Sequence, residues 1–598
     1  MNTCSIRRSV FSPFRLRALA AGWAAALCLG ATAQAGESPA SPAAGWGVSS
    51  SAHSLGTVAE WFPVMSGAGI THVRGFPEWR GLEPVRGEWK WEQADALVKC
   101  AAENRIEIDA ILMGSAAWAG AGAHAFPMAQ LDDWSGFVSN VVRRYGDRIH
   151  SWEVWNEGNG GFNDGHHTTV DYAKLAVATR AAARQADPGA QVGLTVASFD
   201  APYLLEAIRA MAAAGAPDCF DFLCLHPYEV ADGIGEPGGE IPYLWMTRLL
   251  RDMLRAGAPA RANAEIRVTE IGRKIGSYNG RTVTDEDAAK ALVKMYTMSL
   301  AQGIRRTCWF EARDPVGEEA GFGLLDREGR PRAAFRAMKN LAACLGAAPA
   351  YQGWLATGGG RGFGFVFQGA SNSVLAAWMP GGETGTALTF KTDVQTLDPL
   401  GQAAAALKAG QPLALTDAPV LVLGVPAELV AQARANAEKN FPWGGDYLGA
   451  TAVSSQLGAA GTEGGVVQIG ARSTPPHVFP DGSTGVELRD NRAASFYVHP
   501  SFTGLDGHDF YVRLTVRRLG PGNAGLNLHY EMADSQGRSP YKNCGVWFSL
   551  SPDPGWQTHT WHVTDACFSK MWGYDLSFRP EQSVPFVVGK VEVSRVAF

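Results

Sequence analysis

Charged residues are scarce in this chain. Asp, Glu, Lys and Arg make up 18% of its 598 residues, and the formal net charge is −6. No basic excess is present to hold a polyanion, so a nucleic-acid partner is not expected. Beyond the N-terminus no apolar run is long enough to cross a bilayer, so no membrane span is expected either. Cysteine is sparse and scattered. If Cys4 and Cys28 leave with an N-terminal signal, Cys100, Cys219, Cys224, Cys308, Cys344, Cys544 and Cys567 remain, an odd set that is not a disulfide framework. Cys544 and Cys567, in one β-rich stretch, are the pair expected to bridge. The doublet His166-His167 has no carboxylate at ligand spacing in a fixed element, and no metal motif occurs elsewhere. A glycine-rich phosphate loop is also missing. No metal or cofactor is expected.

What is abundant is apolar and aromatic. Hydrophobic residues make 46% of the chain, with 70 Gly and 19 Trp, an ordinary globular composition rather than a disordered or membranous one. The length calls for two to four domains. Tryptophan offers flat apolar faces of the kind that stack on sugar rings, although it packs cores equally well. Arg7, Arg8, Arg15 and Arg17 precede an apolar run over 18–33 that ends in Ala33-Gln34-Ala35. This order of charge, apolar core and small-residue site reads as an export signal over 1–35, leaving a periplasmic or extracellular protein. Residues 36–44 form a Ser/Pro/Ala linker.

From Gly45 onward apolar strands alternate with amphipathic helices, the pattern of a parallel α/β fold. Eight strands are expected, at 46–50, 71–74, 106–113, 149–155, 191–197, 220–226, 266–270 and 306–310, with helices between them such as 130–145, 170–186, 203–214, 285–301 and 331–345. Eight such units over about 300 residues fit a (β/α)8 barrel, assigned to 36–345. In that fold the chemistry sits at the C-terminal strand ends. Two of those ends carry glutamate before glycine: Trp155-Asn156-Glu157-Gly158 and Thr269-Glu270-Ile271-Gly272. Carboxylates delivered by different strands can meet across one barrel mouth, and paired carboxylates are the working parts of glycoside hydrolysis.

These motifs resemble clan A of the glycoside hydrolases, and within it family 39 and similar retaining enzymes. The resemblance covers roughly the first 345 residues. It includes His72-Val73-Arg74 at strand 2, His226-Pro227-Tyr228 at strand 6, Cys308-Trp309-Phe310-Glu311 at strand 8, and Gly321-Phe322-Gly323-Leu324-Leu325-Asp326 before the last helix. It implies that Glu157 is the acid/base and Glu270 the nucleophile, their carboxyls about 5–5.5 Å apart. Asn156 then grips the substrate's 2-hydroxyl, while Arg74 and Tyr228 hold Glu270 ionised. His226 lines the floor beside the acid/base, and the charge of Glu270 raises the pKa of Glu157. Trp309 is implied as the platform under the sugar, with Phe310 in the core. Trp118, in the loop after strand 3, is a candidate substrate contact on position alone, as are Phe162, His166 and His167 after strand 4.

After Leu345 the texture becomes β-rich. A small β-domain over 346–440 is expected to pack on the barrel. A sandwich of roughly six strands over 441–598 resembles a carbohydrate-binding jelly roll. Its Trp547, Trp556, Trp561 and Trp572 bind sugar or pack its core, and this reading leaves both open. Few contacts are expected to cross near 441, which makes the sandwich a separable module. The function implied is a monomeric retaining glycoside hydrolase that cleaves β-linkages within a bacterial exopolysaccharide. Its rivals are an exo-acting β-glycosidase and a catalytically silent carbohydrate-binding matrix protein.

Overall fold

The structure is a computed structural model that describes residues 45–598 apart from 121, 279–280, 318, 384–387, 404–405, 460, 470–475, 489–492, 504–507, 533–540 and 581–583. The expected export signal and linker lie outside the described residues. Among the described residues no helix is long and apolar enough to cross a membrane.

Eight parallel strands close into a barrel: β1 (Gly45–Ser49), β2 (His72–Arg74), β3 (Glu107–Leu112), β4 (Ser151–Val154), β5 (Gln191–Ala197), β6 (Phe222–His226), β7 (Glu265–Ile271) and β8 (Arg306–Phe310). Each pairs with its sequence neighbours, and β8 pairs with β1. The helices fall within two residues of their expected limits, among them Leu131–Tyr145, Thr169–Ala186, Asp285–Ala301 and Ala333–Leu345. Thr168 and Thr284 begin theirs with capping boxes that close on Asp171 and Asp287, satisfying first-turn amides.

Inside the barrel the side chains are charged in layers. Asp109 accepts from Arg267 at 3.2 Å and also from Arg306, and all three are buried. One layer higher, Glu153, fully buried, accepts from Arg74 at 3.0 Å and from Thr195 at 3.2 Å. Buried charge is costly unless paired, so these groups constrain one another's placement below the mouth.

The second region is a five-stranded antiparallel sheet in the order Ala350–Trp354, Phe363–Gln368, Ser373–Trp378, Val420–Leu423, Gln395–Leu397. Its period-two pattern serves two cores. Phe363, Phe365, Phe367, Val374, Ala376 and Trp378 join the barrel's core, whereas Val366, Leu375, Ala377 and Val422 pack with Val430 and Ala433 of helix Ala427–Arg434. The third region is a sandwich of two antiparallel sheets. One contains Ala452–Gln456, Thr484–Leu488, His508–Arg518, Gln557–Ala566 and Phe586–Ser594. The other contains Val466–Ile469, Ala494–Val498, Ala524–Glu531 and Leu576–Pro580.

The contact-poor boundary expected near 441 is not there. Trp443 is 4% exposed, packs on Phe363, Phe365 and Phe441, and donates its Nε1 hydrogen to Gly362 O at 3.1 Å. Tyr497 of the sandwich donates to Gly238 O of the barrel at 2.9 Å, and His499 meets Trp245 edge-on. Cys567 is buried within the barrel's own apolar cluster. The expected Cys544–Cys567 bridge is likewise corrected: neither forms a disulfide, Cys567 being committed to that inter-domain core.

Candidate active site

The loop after β4 leaves its strand under backbone strain. Trp155 (φ 62°) and Glu157 (φ 46°) both occupy the left-handed region, which non-glycine residues seldom adopt. The surroundings hold them there. Trp155 donates its amide to Leu112 O at 2.9 Å and its indole to Phe162 O at 2.7 Å. Asn159 ties the loop to β5 by accepting from Ala197 N at 2.8 Å and donating to Asp200 at 2.8 Å. Gly158 is required by space, since a Cβ there would lie 2.7 Å from the Phe126 ring. The turn thus swings Asn156 and Glu157 into the mouth of the barrel.

Glu270 arrives from β7 where the β7–β8 pairing shifts register between Thr307–Val268 and Trp309–Ile271. Two donors hold its carboxylate: Arg74 Nη1 to Oε2 at 2.7 Å and Tyr228 Oη to Oε1 at 2.9 Å. Burial and the Glu270 charge push the Tyr228 hydroxyl far up, so it stays a donor. Although burial opposes its charge, Arg74 between Glu153 and Glu270 is held firmly protonated. Its remaining Nη2 donates to Asn156 Oδ1 at 2.7 Å, which leaves the Asn156 amide N–H groups for a substrate hydroxyl. One guanidinium therefore orients two mouth groups, Glu270 and Asn156.

Glu157 is held differently. Its Oε1 pairs with His226 Nδ1 at 2.7 Å, and His226 Nε2 faces Thr269 Oγ1 at 3.3 Å. Burial, reinforced by Arg74, lowers the His226 pKa to about 4, so the imidazole is neutral near pH 7. A neutral ring gives Glu157 a hydrogen-bond partner but no counter-charge. Burial raises the Glu157 pKa above the usual carboxylate range, while Arg74 only partly opposes it. The cause is burial, not the Glu270 charge that the sequence suggested.

A Glu157 oxygen, a Glu270 oxygen and a His226 nitrogen all lie within 4.8 Å of one another. These are metal-ligand types, but Arg74 already sits 2.7 Å from Glu270 and would repel a cation. The carboxylates open into a cavity of about 1370 Å³, whose lining includes Arg74, Asn156, Glu157, Tyr228 and Glu270. His226 is fully buried behind Glu157 rather than lining the floor. Phe162 and His124 also face the cavity.

Two residues expected at the substrate are elsewhere. Trp309 is 1% exposed, packed in the apolar core, with its indole donating to Phe322 O at 2.9 Å. The cavity is lined instead by Phe310 and Phe322, which meet edge-on beside Tyr228. The reason is strand phase. Cys308 feels Asp109, Glu153 and Arg74 inside the barrel, so Phe310, two residues on, points the same way and Trp309 points out. Trp118 packs edge-on against Trp79 and donates to Glu83 O at 2.8 Å, away from the cavity. Three neighbours of the site went unpredicted, Glu153 behind Arg74, Thr269 behind His226 and Glu229 beside Tyr228, while Trp572, left open between sugar binding and core packing, lines the cavity. Counting phase along β4 and β8 was the signal for Glu153 and Phe310.

A closed parallel barrel with two glutamates at its C-terminal mouth, one ion-paired and one not, defines the class of site. The fold has likenesses among solved structures. The chain is similar to a family 39 glycoside hydrolase from the gut symbiont Bacteroides cellulosilyticus WH2, at 19% identity and TM-score 0.54 over 64% of this chain and 81% of that one. It also matches a family 39 β-xylosidase from Caulobacter crescentus (16% identity, TM-score 0.45, 65% and 98% covered). A family 39 enzyme from Xanthomonas axonopodis pv. citri matches at 17% identity and TM-score 0.42, with 93% and 95% covered. No protein-family model and no curated protein matches the sequence. The likeness to the Bacteroides structure shows a shared fold of the family 39 type.

Proposed function

We propose that the protein is a retaining glycoside hydrolase that cleaves β-glycosidic bonds, with Glu157 as acid/base and Glu270 as nucleophile. The observation that carries this reading is the contrast between the two carboxyls across one cavity. Arg74 and Tyr228 both donate to the Glu270 carboxylate, whereas Glu157 is buried beside an imidazole that brings no counter-charge, and burial favours its protonated form. Environments that separate two carboxyls in this way assign acid and nucleophile.

The chemistry follows from those assignments. Glu157 gives its proton to the glycosidic oxygen as the C1–O bond breaks, and a Glu270 oxygen bonds to C1 to form a glycosyl ester. Glu157, now ionised, takes a proton from water, the water oxygen bonds to C1, and the Glu270 carboxylate departs. Asn156 offers its amide N–H to the 2-hydroxyl, where a bond tightens as the oxocarbenium-like state develops. An oxygen pair within 4.8 Å suits the short retaining separation rather than the roughly 6.5–9.5 Å of inverting enzymes.

Polymer as substrate is supported by the cavity, which exceeds the roughly 300–1,000 Å³ of small-ligand pockets. We take the enzyme to be endo-acting on an exported polysaccharide. The enclosure of the mouth by the barrel and the C-terminal sandwich favours the second reading, an exo-acting β-glycosidase. Export rests on residues 1–35, and fractionation of expressing cells tests it.

The decisive experiment is proton NMR of the first-formed sugar from 4-nitrophenyl β-glycosides of xylose, glucose, galactose and mannose. Retention of the β-anomer is expected, together with an alkaline fall in kcat as Glu157 loses its proton. Initial release of the α-anomer sinks the assignment of Glu270. Sizing the products from a polysaccharide panel separates endo from exo action.

A further inference from the structure

The C-terminal sandwich lines the cavity with Gln468, Ile469 and Tyr497 and with a loop, residues 567–575, and that loop is built to be rigid. Behind it Glu531, 1% exposed, accepts four hydrogen bonds: Ser569 N at 2.7 Å, Ser569 Oγ at 2.6 Å, Lys570 N at 2.7 Å and Met571 N at 3.0 Å. Asp575, fully buried, accepts from Val498 N at 2.7 Å and pairs with Lys570 Nζ at 3.1 Å. Lys570 Nζ also donates to Phe568 O at 3.1 Å, and Lys570 itself takes a left-handed φ of 62°. Buried hydrogen-bonding groups gathered around so short a segment leave its backbone little freedom.

What the loop projects is aromatic. Trp572 is 42% exposed and lines the same cavity as Glu157 and Glu270, with Gly573 and Tyr574 beside it. Tyr541 supports it from behind, stacked at 4.9 Å and 27°, and accepts the Trp572 amide hydrogen at 3.2 Å. Gly573 lies flat on the barrel: a Cβ there would sit 2.7 Å from Glu229 O, one residue past the Tyr228 that holds Glu270. The loop is therefore seated against the segment that organises the nucleophile. A large indole face held rigid, wet on one side and backed by a second ring on the other, costs little entropy to use in binding.

We propose that Trp572 is the stacking platform for a substrate sugar unit away from the bond being cleaved, so that the C-terminal sandwich completes the substrate cleft. This rests on the glycosidase reading above. Phe310 and Phe322 form the aromatic floor beside the carboxylates, and Trp572 supplies a separate face on the opposite domain. The ligand it fits is the apolar face of a pyranose ring in an oligosaccharide.

The test is a ratio: kcat/KM on β-1,4-linked hexasaccharides (xylohexaose, cellohexaose and mannohexaose) divided by kcat/KM on the matching 4-nitrophenyl monosaccharide. In Trp572→Ala this ratio falls about tenfold or more, the effect of losing burial of one large aromatic face. Trp572→Phe keeps a ring and recovers most of the ratio. Trp547→Ala, an exposed sandwich tryptophan that is not on the cavity, leaves it unchanged. A Trp572→Ala ratio within twofold of the parent overturns the proposal. If the parent hydrolyses no glycoside, the glycosidase reading fails separately, and titration of the same hexasaccharides by calorimetry decides the subsite. Binding by the parent that weakens about tenfold in Trp572→Ala supports it, whereas equal binding, or none at millimolar sugar, overturns it.

Discussion

The floor of the cavity and its sandwich wall use the same device for different ends. On the floor, buried Glu153 steers Arg74, which in turn sets Asn156 and Glu270. In the wall, buried Glu531 gathers the amides of 569–571 and sets Trp572. In both, a carboxylate that never meets solvent fixes the geometry of a group that does. The floor presents charge and suits bond-breaking; the wall presents a ring and suits binding. The lesson is that rigidity comes from the buried partner and chemistry from the exposed one.

The largest expected effect lies on the floor. Glu270→Gln should lower kcat on a 4-nitrophenyl glycoside by about 10⁴-fold or more, because the covalent route is removed while the isosteric amide keeps the fold. Unchanged circular dichroism with residual activity above a few per cent would show that the floor does not work as described.

Next comes the seam where the chain entering the sandwich packs on the five-stranded sheet. Trp443→Ala should destabilise the protein by about 3–5 kcal/mol, the cost of emptying a buried indole site, read from denaturant unfolding. Removing residues 441–598 exposes the same seam and should reduce soluble yield as well as activity. A truncated chain with parental melting temperature and turnover would make the wall an independent module.

A smaller effect separates the two carboxylates. Tyr228→Phe deletes one donor to a charged group, worth about 1.5–3 kcal/mol, so kcat/KM should drop roughly 10- to 100-fold. No change would mean that Arg74 alone orients Glu270.

The smallest concerns Glu311, just past β8. Burial pushes its pKa up to about 8, and its Oε1 has no hydrogen-bond partner among the described residues. A folded pKa above the unfolded value adds stability that is complete below about pH 4.5 and lost as pH rises through about 8. Glu229, raised by burial to about 7, acts in the same direction. Glu311→Gln should therefore leave stability at pH 5 nearly unchanged and raise it at pH 9 by about 1–3 kcal/mol, measured by urea unfolding. Equal curves at both pH values would place Glu311 ionised in the fold.

Much of the barrel was readable because its strands are β-branched or apolar runs stopped by polar residues, glycine or proline. Glu157, Glu270, Arg74 and Tyr228 all stand at such stops. Phase along a strand was readable too, and misjudging it exchanged Trp309 for Phe310. Glu270 shows where phase fails, since the register shift beside it breaks a strict period of two counted from Arg267. Trp118 was assigned on loop position alone, and a loop position does not say which way an indole turns.

By itself the sequence determined the order of elements, the barrel class and the two carboxylates, because hydrophobic period and strand-end chemistry are local properties of the chain. Only the tertiary structure decided that Glu157 is raised by burial, that His226 stands behind it uncharged, and that Cys567 is spent in an inter-domain core. It alone placed Trp572 on the same cavity as residues more than 300 positions earlier. Burial and docking depend on what the rest of the chain brings alongside, and no local pattern carries that information.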